Sequence, residues 1–298
     1  MIKYNVIMAR RRSSERSYKV QMINIKLLSN NRSGDNAYTD IISQIKDNKI
    51  SISVHGDTHM ILRTQFSDIV KIGDNNYNIL YGKIAKYTVI NGNDWLNMNN
   101  MEVEAVELPE GRFPNLKEAE YVFIPAAHRL AILQTSDQNI GSIGLVYKFL
   151  LGAVKAVIGQ DEDFEICIEQ SEDVFERIIN AEAIKKLFID ISYSNADTGE
   201  EAFAFMDAQI RESDMKRLKL EATPNHTGNI KTDSTLVKGA LKVAQSNGYA
   251  RATIVENGKR QIVVTKDHPK ELLFRCEETV IRLNVVTRII ELFIPISS

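Results

Sequence analysis

The stretch from Tyr249 to Lys266 constrains the fold more tightly than any other part of the chain. Apolar and polar residues alternate on both sides of Asn257-Gly258, and an Asn-Gly pair between two alternating segments specifies a two-residue hairpin turn, because both central positions need positive φ. The turn also fixes the register. Val255 must face Arg260, Thr253 must face Ile262 and Arg251 must face Val264, so Arg251 and Arg260 share one side of the ribbon. Immediately upstream, Leu236, Val237, Ala240, Leu241 and Ala244 follow the i, i+3, i+4, i+7 rule of a helix. Thr232 or Asp233 is its expected cap, Asn247-Gly248 its expected left-handed stop, and Lys238 and Lys242 lie on its outer face.

The earlier chain reads differently. Period-two alternation between turn-forming clusters predicts strands over residues 4–8, 18–28, 50–54, 59–66, 77–90, 101–108 and 121–134. Asp74-Asn75-Asn76 is the expected turn of one hairpin, and Asn91-Gly92-Asn93 ends the next strand. A short helix fits residues 37–46, capped by Asp35 or Asn36. Beyond residue 137 the period changes, predicting helices over 143–158, 171–179 and 200–218, interleaved with strands at 164–169 and 183–193. Residues 277–293 suit helix or strand. The class is α+β: a mostly antiparallel, strand-rich N-terminal half and a helix-rich C-terminal half that ends in the helix and hairpin. The change of period at 135–139 separates a strand-rich lobe, 1–136, from a mixed lobe, 137–298, and without a long linker the two form one body.

With 298 residues, 44% of them hydrophobic, the chain can fill a core and is not a disordered protein. Cys167 and Cys276 sit in apolar alternating stretches, as small hydrophobes do, so no disulfide framework is expected. The N-terminal segment is basic and strand-like, without the apolar core of a secretory signal, which points to the cytoplasm. The apolar run 140–159 approaches spanning length, but Lys148 and Lys155 lie on one helical face, so the expectation is a soluble helix and no membrane partner.

Net charge is −2, yet its distribution is uneven. Lys3, Arg10, Arg11, Arg12, Arg16, Lys19, Lys26 and Arg32 precede residue 33 with Glu15 as the sole acid among them. Acids dominate residues 94–182, with runs at Glu102, Glu104, Glu107, Glu110 and at Asp161, Glu162, Asp163, Glu165, Glu169. Bases return after Lys216. Such polarity supports either a local phosphate-binding surface or self-association of basic ends against an acidic middle. The candidate phosphate contacts are Arg10, Arg11, Arg12 and Arg16 in an N-terminal loop, Lys238 and Lys242 on the helix, and Arg251, Lys259 and Arg260 on the hairpin.

Catalytic patterns are weak. His55-Gly56-Asp57-Thr58-His59 has two imidazoles and a carboxylate, but its flanks alternate like strands, whereas histidines four apart share a metal on a helix. Val264-Thr265-Lys266 has valine where a metal-dependent nuclease of the Asp…Glu-x-Lys kind needs an acid. Gly141-Ser142-Ile143-Gly144 lacks the third glycine of a dinucleotide loop and the Gly-Lys-Ser/Thr of a phosphate loop. No catalytic residue, metal or cofactor is assigned.

Three stretches carry a family resemblance: Glu120 to Arg129 (EYVFIPAAHR), Ala183 to Ser192 (AIKKLFIDIS), and Asn247 through Val264-Thr265-Lys266-Asp267-His268-Pro269-Lys270. In order and spacing they resemble a bacterial family of about this length known only as a domain of unknown function. At the level of architecture, that family is similar to the phage-exclusion protein RexA and the effector subunit of the Kiwa defence system. The resemblance implies anti-phage defence, nucleic-acid binding and self-association, and it supplies no catalytic residues. The combined expectation is a non-enzymatic, homo-oligomeric nucleic-acid-binding protein, with DNA favoured over RNA. Two alternatives stand beside it: a metal-dependent nuclease or other hydrolase around His55, Asp57, His59 or His128, and a module that binds a protein partner through the acidic middle.

Overall fold

A computed structural model describes residues 15–29, 32–192, 209, 212–213, 215, 217–226 and 228–294. The fold is α+β. Its larger sheet is antiparallel, in the order β14-β1-β8-β7-β4-β3-β2: Glu271–Cys276, Arg16–Leu28, Arg129–Gln134, Lys117–Ile124, Asn75–Thr88, Thr58–Ile72 and Ile52–His55. β1 pairs with β8 along one edge. Along the other it pairs with β14 over its first half, and with β9 (Asp163–Ile168) over its second. Strands from both sides of the sequence break at 136/137 therefore share this sheet.

Alternation along β1 places Ile23 and Ile25 in a core beneath α1 (Gly34–Asp47) and α2 (Ile143–Val157). Tyr18, Val20 and Met22 enter a second core on the opposite face, with Ile281, Val285, Val286 and Ile289 of the C-terminal helix, Ile281–Phe293. The ambiguous segment 277–293 is thus largely helical. Its apolar residues form a stripe wide enough to cover one face of the sheet.

The smaller sheet, in the order β11-β10-β12-β13 (Arg217–Ala222, Ala183–Ser192, Gly248–Glu256, Lys259–Val264), is also antiparallel. On one face it packs against α3 (Glu172–Ile179) and α4 (Thr235–Asn247), burying Leu187, Ile189, Ile191, Ala250, Ala252 and Ile254 against Ala240, Leu241, Val243 and Ala244. The hairpin register is the expected one, Val255 to Arg260, Thr253 to Ile262 and Arg251 to Val264. Asn257 and Gly258 both have positive φ, 51° and 70°.

Several local expectations are corrected. The strand expected over 121–134 is two, split by a 3-10 turn at Pro125–Ala127, where Pro125 has no N–H for the ladder and His128 takes a left-handed φ of 54°. The strand expected over 101–108 shrinks to Glu102–Glu104, paired only with Trp95–Asn97. The β3–β4 turn is Gly73-Asp74 rather than Asp74-Asn75-Asn76, because Gly73 meets the positive φ, 60°, that the turn requires. Ser33, not Asp35 or Asn36, stands at the N-cap of α1. Ser234, not Thr232 or Asp233, caps α4 by accepting from the Val237 N–H at 3.3 Å. Gly248 is extended, with φ 167°, rather than left-handed. It is glycine because β10 passes so close that a Cβ would strike the Asp190 carbonyl. The helix expected over 200–218 gives way to strand at Arg217–Ala222. Its remainder, like the strand expected at 4–8, lies largely or wholly outside the described residues.

The two sheets meet along a buried polar seam at the C-terminus of α4. A helix end leaves its last carbonyls without partners, and here other elements supply them. The Gln170 side-chain amide reaches the carbonyls of Ala244, Gln245 and Gly248 at 3.2, 3.2 and 2.7 Å. Asn24 donates to the Ser246 carbonyl at 3.1 Å, and the Ser192 hydroxyl to that of Asn247 at 3.0 Å. Lys26 Nζ donates to the Asn247 side chain, placing a cation where the helix dipole favours one. Beneath the seam Arg129 and Glu169, 2% and 1% exposed, form an ion pair at 2.8 Å. Glu169 also accepts from Ser246 Oγ at 3.0 Å, and the Arg129 guanidinium lies 4.2 Å from the Phe293 ring centroid.

Candidate nucleic-acid interface

In a four-stranded sheet covered by helices on one face, the alternate residues of every strand project from the other. Register gives that second face its composition. β10 contributes Lys186, Phe188 and Asp190, and β12 contributes Tyr249, Arg251, Thr253 and Val255. β11 adds Arg217, Lys219 and Glu221, while β13 adds Arg260, Ile262 and Val264. Phe188 lies directly across from Arg251 on one side and Glu221 on the other. Its ring and that of Tyr249 are 5.9 Å apart, inclined at 48°.

Charge on this face is predominantly positive. Arg217 grips Asp190 through two hydrogen bonds of 2.5 and 2.7 Å, which hold the guanidinium pKa above its ordinary value. Lys186 pairs with Glu221 at 2.5 Å. Arg251, Arg260 and Lys219 are exposed and have no ion-pair partner among the described residues. Lys266 Nζ sits 4.9 Å from the Tyr249 ring centroid, a cation–π distance. At the Arg217 end the face closes over, since Asp190 and Ser192 are buried, and the charge of Glu165 on β9 helps to raise the Arg217 pKa.

The expected contacts are therefore only partly brought together. Arg251 and Arg260 share the open face as the hairpin register requires, and Lys259 is exposed beside the turn opposite Glu256. Acids secure that tip: the Glu182 carboxylate accepts from the Asn257 and Gly258 N–H groups, and Glu256 binds Arg177 at 2.7 Å. Lys238 and Lys242 are not part of the same face. Their helix packs on the opposite face, so the whole sheet separates them from Arg251 and Arg260, and Lys242 lies half-buried beside Glu172. Arg16, at the start of β1, forms an ion pair with Glu278 at 3.2 Å. Arg10, Arg11 and Arg12 lie outside the described residues.

Phe188, Tyr249, Lys186, Arg217 and Lys219 were not singled out in the sequence. One signal could have found the aromatics. Leu187, Ile189 and Ile191 form the apolar phase of β10, so Phe188 is an aromatic residue in the polar phase, between Lys186 and Asp190. Tyr249 is likewise in phase with Arg251.

The other proposed centres have ordinary structural surroundings. His55 and His59 flank the β2–β3 turn, and His59 Nδ1 lies 3.1 Å from Ser51 Oγ, which in turn lies 2.6 Å from Tyr87 Oη. Among the described residues no group of three His, Cys, Asp or Glu could hold a metal ion. Gly141-Ser142-Ile143-Gly144 borders a cleft of about 960 Å³, where Lys19 is paired with Glu271 and Arg275 with Glu15. Among the described residues no helix is long and apolar enough to cross a membrane.

Comparison with known proteins adds a family but no activity. The model of a domain of unknown function (DUF4747) matches residues 16–291. No curated protein matches the chain. A solved PDZ domain protein from Parabacteroides distasonis ATCC 8503 shares 8% identity, over 89% of this chain and 74% of that one. Its TM-score of 0.13 carries no argument about fold or function.

Proposed function

The chain belongs to the DUF4747 family, a domain of unknown function, and from that premise we propose that it binds nucleic acid, without catalysis, through the open face of its smaller sheet. The observation behind this reading is the set Arg251, Arg260 and Lys219. These cations stand on three of the sheet's four strands, exposed and without carboxylate partners among the described residues. Ordered cations of this kind displace condensed counterions from a phosphate backbone, and the gain is local, so a chain of net charge −2 can still bind a polyanion. The anti-phage role rests on the resemblance of the sequence to defence proteins, and the cytoplasmic setting on the basic, strand-like N-terminal segment, which does not read as a secretory signal.

Salt is the test. Affinity for an oligonucleotide is expected to fall linearly on a log–log plot against salt concentration. The triple variant Arg251→Ala/Arg260→Ala/Lys219→Ala should lower the magnitude of that slope by about 2–3, at about 0.7–0.9 per lost phosphate contact. The same variant should lose protection in a phage-plaquing assay. An unchanged slope would remove this surface from consideration.

A second reading, self-association, is supported by the arm between β4 and β7. Trp95, Met98, Met101, Val103 and Phe113 are exposed there, beside solvent-facing Glu102, Glu104, Glu107 and Glu110. The arm is opposite in sign to the open face of the smaller sheet, which makes a second copy of this chain the occupant it fits. Sedimentation should show a dimer that weakens with salt and that Glu102→Lys/Glu104→Lys abolishes. A monomer at all salt concentrations would end this reading.

A further inference from the structure

We infer that the strand bound on this face is single, with its bases stacked on Phe188 and Tyr249 and its phosphates held by Arg251, Arg260 and Lys219. The inference rests on the phosphate-binding reading above and adds the class of nucleic acid. Phosphate contacts alone do not distinguish a duplex from a single strand. The rings do. In a duplex each base is already stacked above and below and turns only its edges outward, whereas unpaired bases can leave their own stack and lie on an aromatic surface.

The geometry fits that use. Phe188 and Tyr249, both half-buried, occupy adjacent strands at the middle of a sheet whose other face is covered by helices, so the platform is backed by a packed core and part of each residue reaches solvent. Their centroids are 5.9 Å apart, close enough for neighbouring bases of one strand to use one ring each. Arg251 stands directly beside Phe188, and Lys266 lies against Tyr249, so each ring has its own cation within reach of the adjoining backbone. Lys219 and Arg260 stand on the two outer strands, which places positive charge on both sides of the rings. Ile262, 61% exposed, gives the same face additional apolar surface. From Tyr249 to Val255 the platform spans about 20 Å at the rise of an extended strand. That is room for a few nucleotides, toward the low end of the roughly 4–16-nucleotide footprints of sheet-based single-strand binders.

The test is fluorescence anisotropy on the full chain, with labelled single-stranded DNA, single-stranded RNA of the same sequence, and the corresponding duplex, compared at matched concentrations across a salt series. Either single strand is expected to bind at least tenfold more tightly than duplex, and the DNA and RNA arms show which sugar is preferred. Phe188→Leu and Tyr249→Leu keep apolar bulk but lose the π-face. Each should weaken single-strand binding by roughly tenfold, within the ~1–3 kcal/mol range of base–aromatic stacking, without changing the salt slope. Phe188→Trp should retain binding, and denaturation midpoints identify any variant that has failed to fold. Equal affinity for duplex and single strand, with the leucine variants binding like the original protein, would overturn the stacking inference and leave the phosphate reading standing. No binding to any of the three polyanions at low salt would overturn both. Leucine variants that change the oligomeric state but not oligonucleotide affinity would show the rings to be a protein contact, which also overturns the inference.

Discussion

Replacing Glu169 with glutamine is expected to destabilise the protein by about 3–5 kcal/mol, the cost typical of removing one partner from a buried ion pair. Arg129 and Glu169 are almost fully shielded from water. The glutamine could still accept from Ser246 Oγ, so hydrogen-bonding capacity is largely retained. What disappears is the counter-charge. The guanidinium would keep its bond to the Ala127 carbonyl, at 2.8 Å, and its contact with the Phe293 ring, neither of which neutralises it. Urea denaturation measures the effect. The double variant Arg129→Met/Glu169→Leu is expected to be more stable than either single variant, because two apolar side chains remove the desolvation cost with the charges. A single-variant loss below about 1 kcal/mol would show that water reaches the pair.

Acidification is expected to weaken the fold by an amount on the order of 3 kcal/mol as pH falls from about 6.5 to about 4. The cause is His128. Burial, reinforced by Arg129 and Lys26, pushes its pKa down to about 4 from an ordinary 6.5. Between those values the unfolded chain binds a proton there and the folded chain does not, so stability falls with pH in this window and changes no further below it. The imidazole is stacked on Tyr38 at 4.6 Å, which leaves little space for hydration of a charged ring. Glu162, held at about 2 by Arg32, loses its contribution only at lower pH, as pH drops below 4.5. The decisive measurement is thus the difference between the original protein and His128→Asn, since asparagine tolerates the left-handed backbone and does not titrate. Parallel stability curves for the two across pH 4–6.5 would exclude His128 as the cause.

Local rules made the sequence legible where they act over a few residues. Asn257-Gly258 specified a hairpin down to its residue pairs, and the 3.6-residue period located α2 and α4 within a few residues. Boundaries failed where one residue decides: Pro125 within an apolar run, and Ser33 and Ser234 among several competent caps. The site was half legible for a related reason. Register placed Arg251 and Arg260 together, but it gives no information about the face on which a distant helix packs. That packing moved Lys238 and Lys242 to the far side of the sheet and left Phe188 and Tyr249 on the near side. The pairing of β1 with β9 and β14 depends on contacts more than a hundred residues apart, which no periodicity encodes.

That pairing governs how the protein can be made. During synthesis β1 leaves the ribosome before these partners, so one of its edges stays unsatisfied until β9 and then Glu271–Cys276 have been translated, on the order of tens of seconds later at ~5–20 residues per second. For that interval the nascent chain exposes an alternating, aggregation-prone strand edge. Shortened forms that stop before residue 271 should therefore precipitate when expressed, whatever ligand-binding groups they retain.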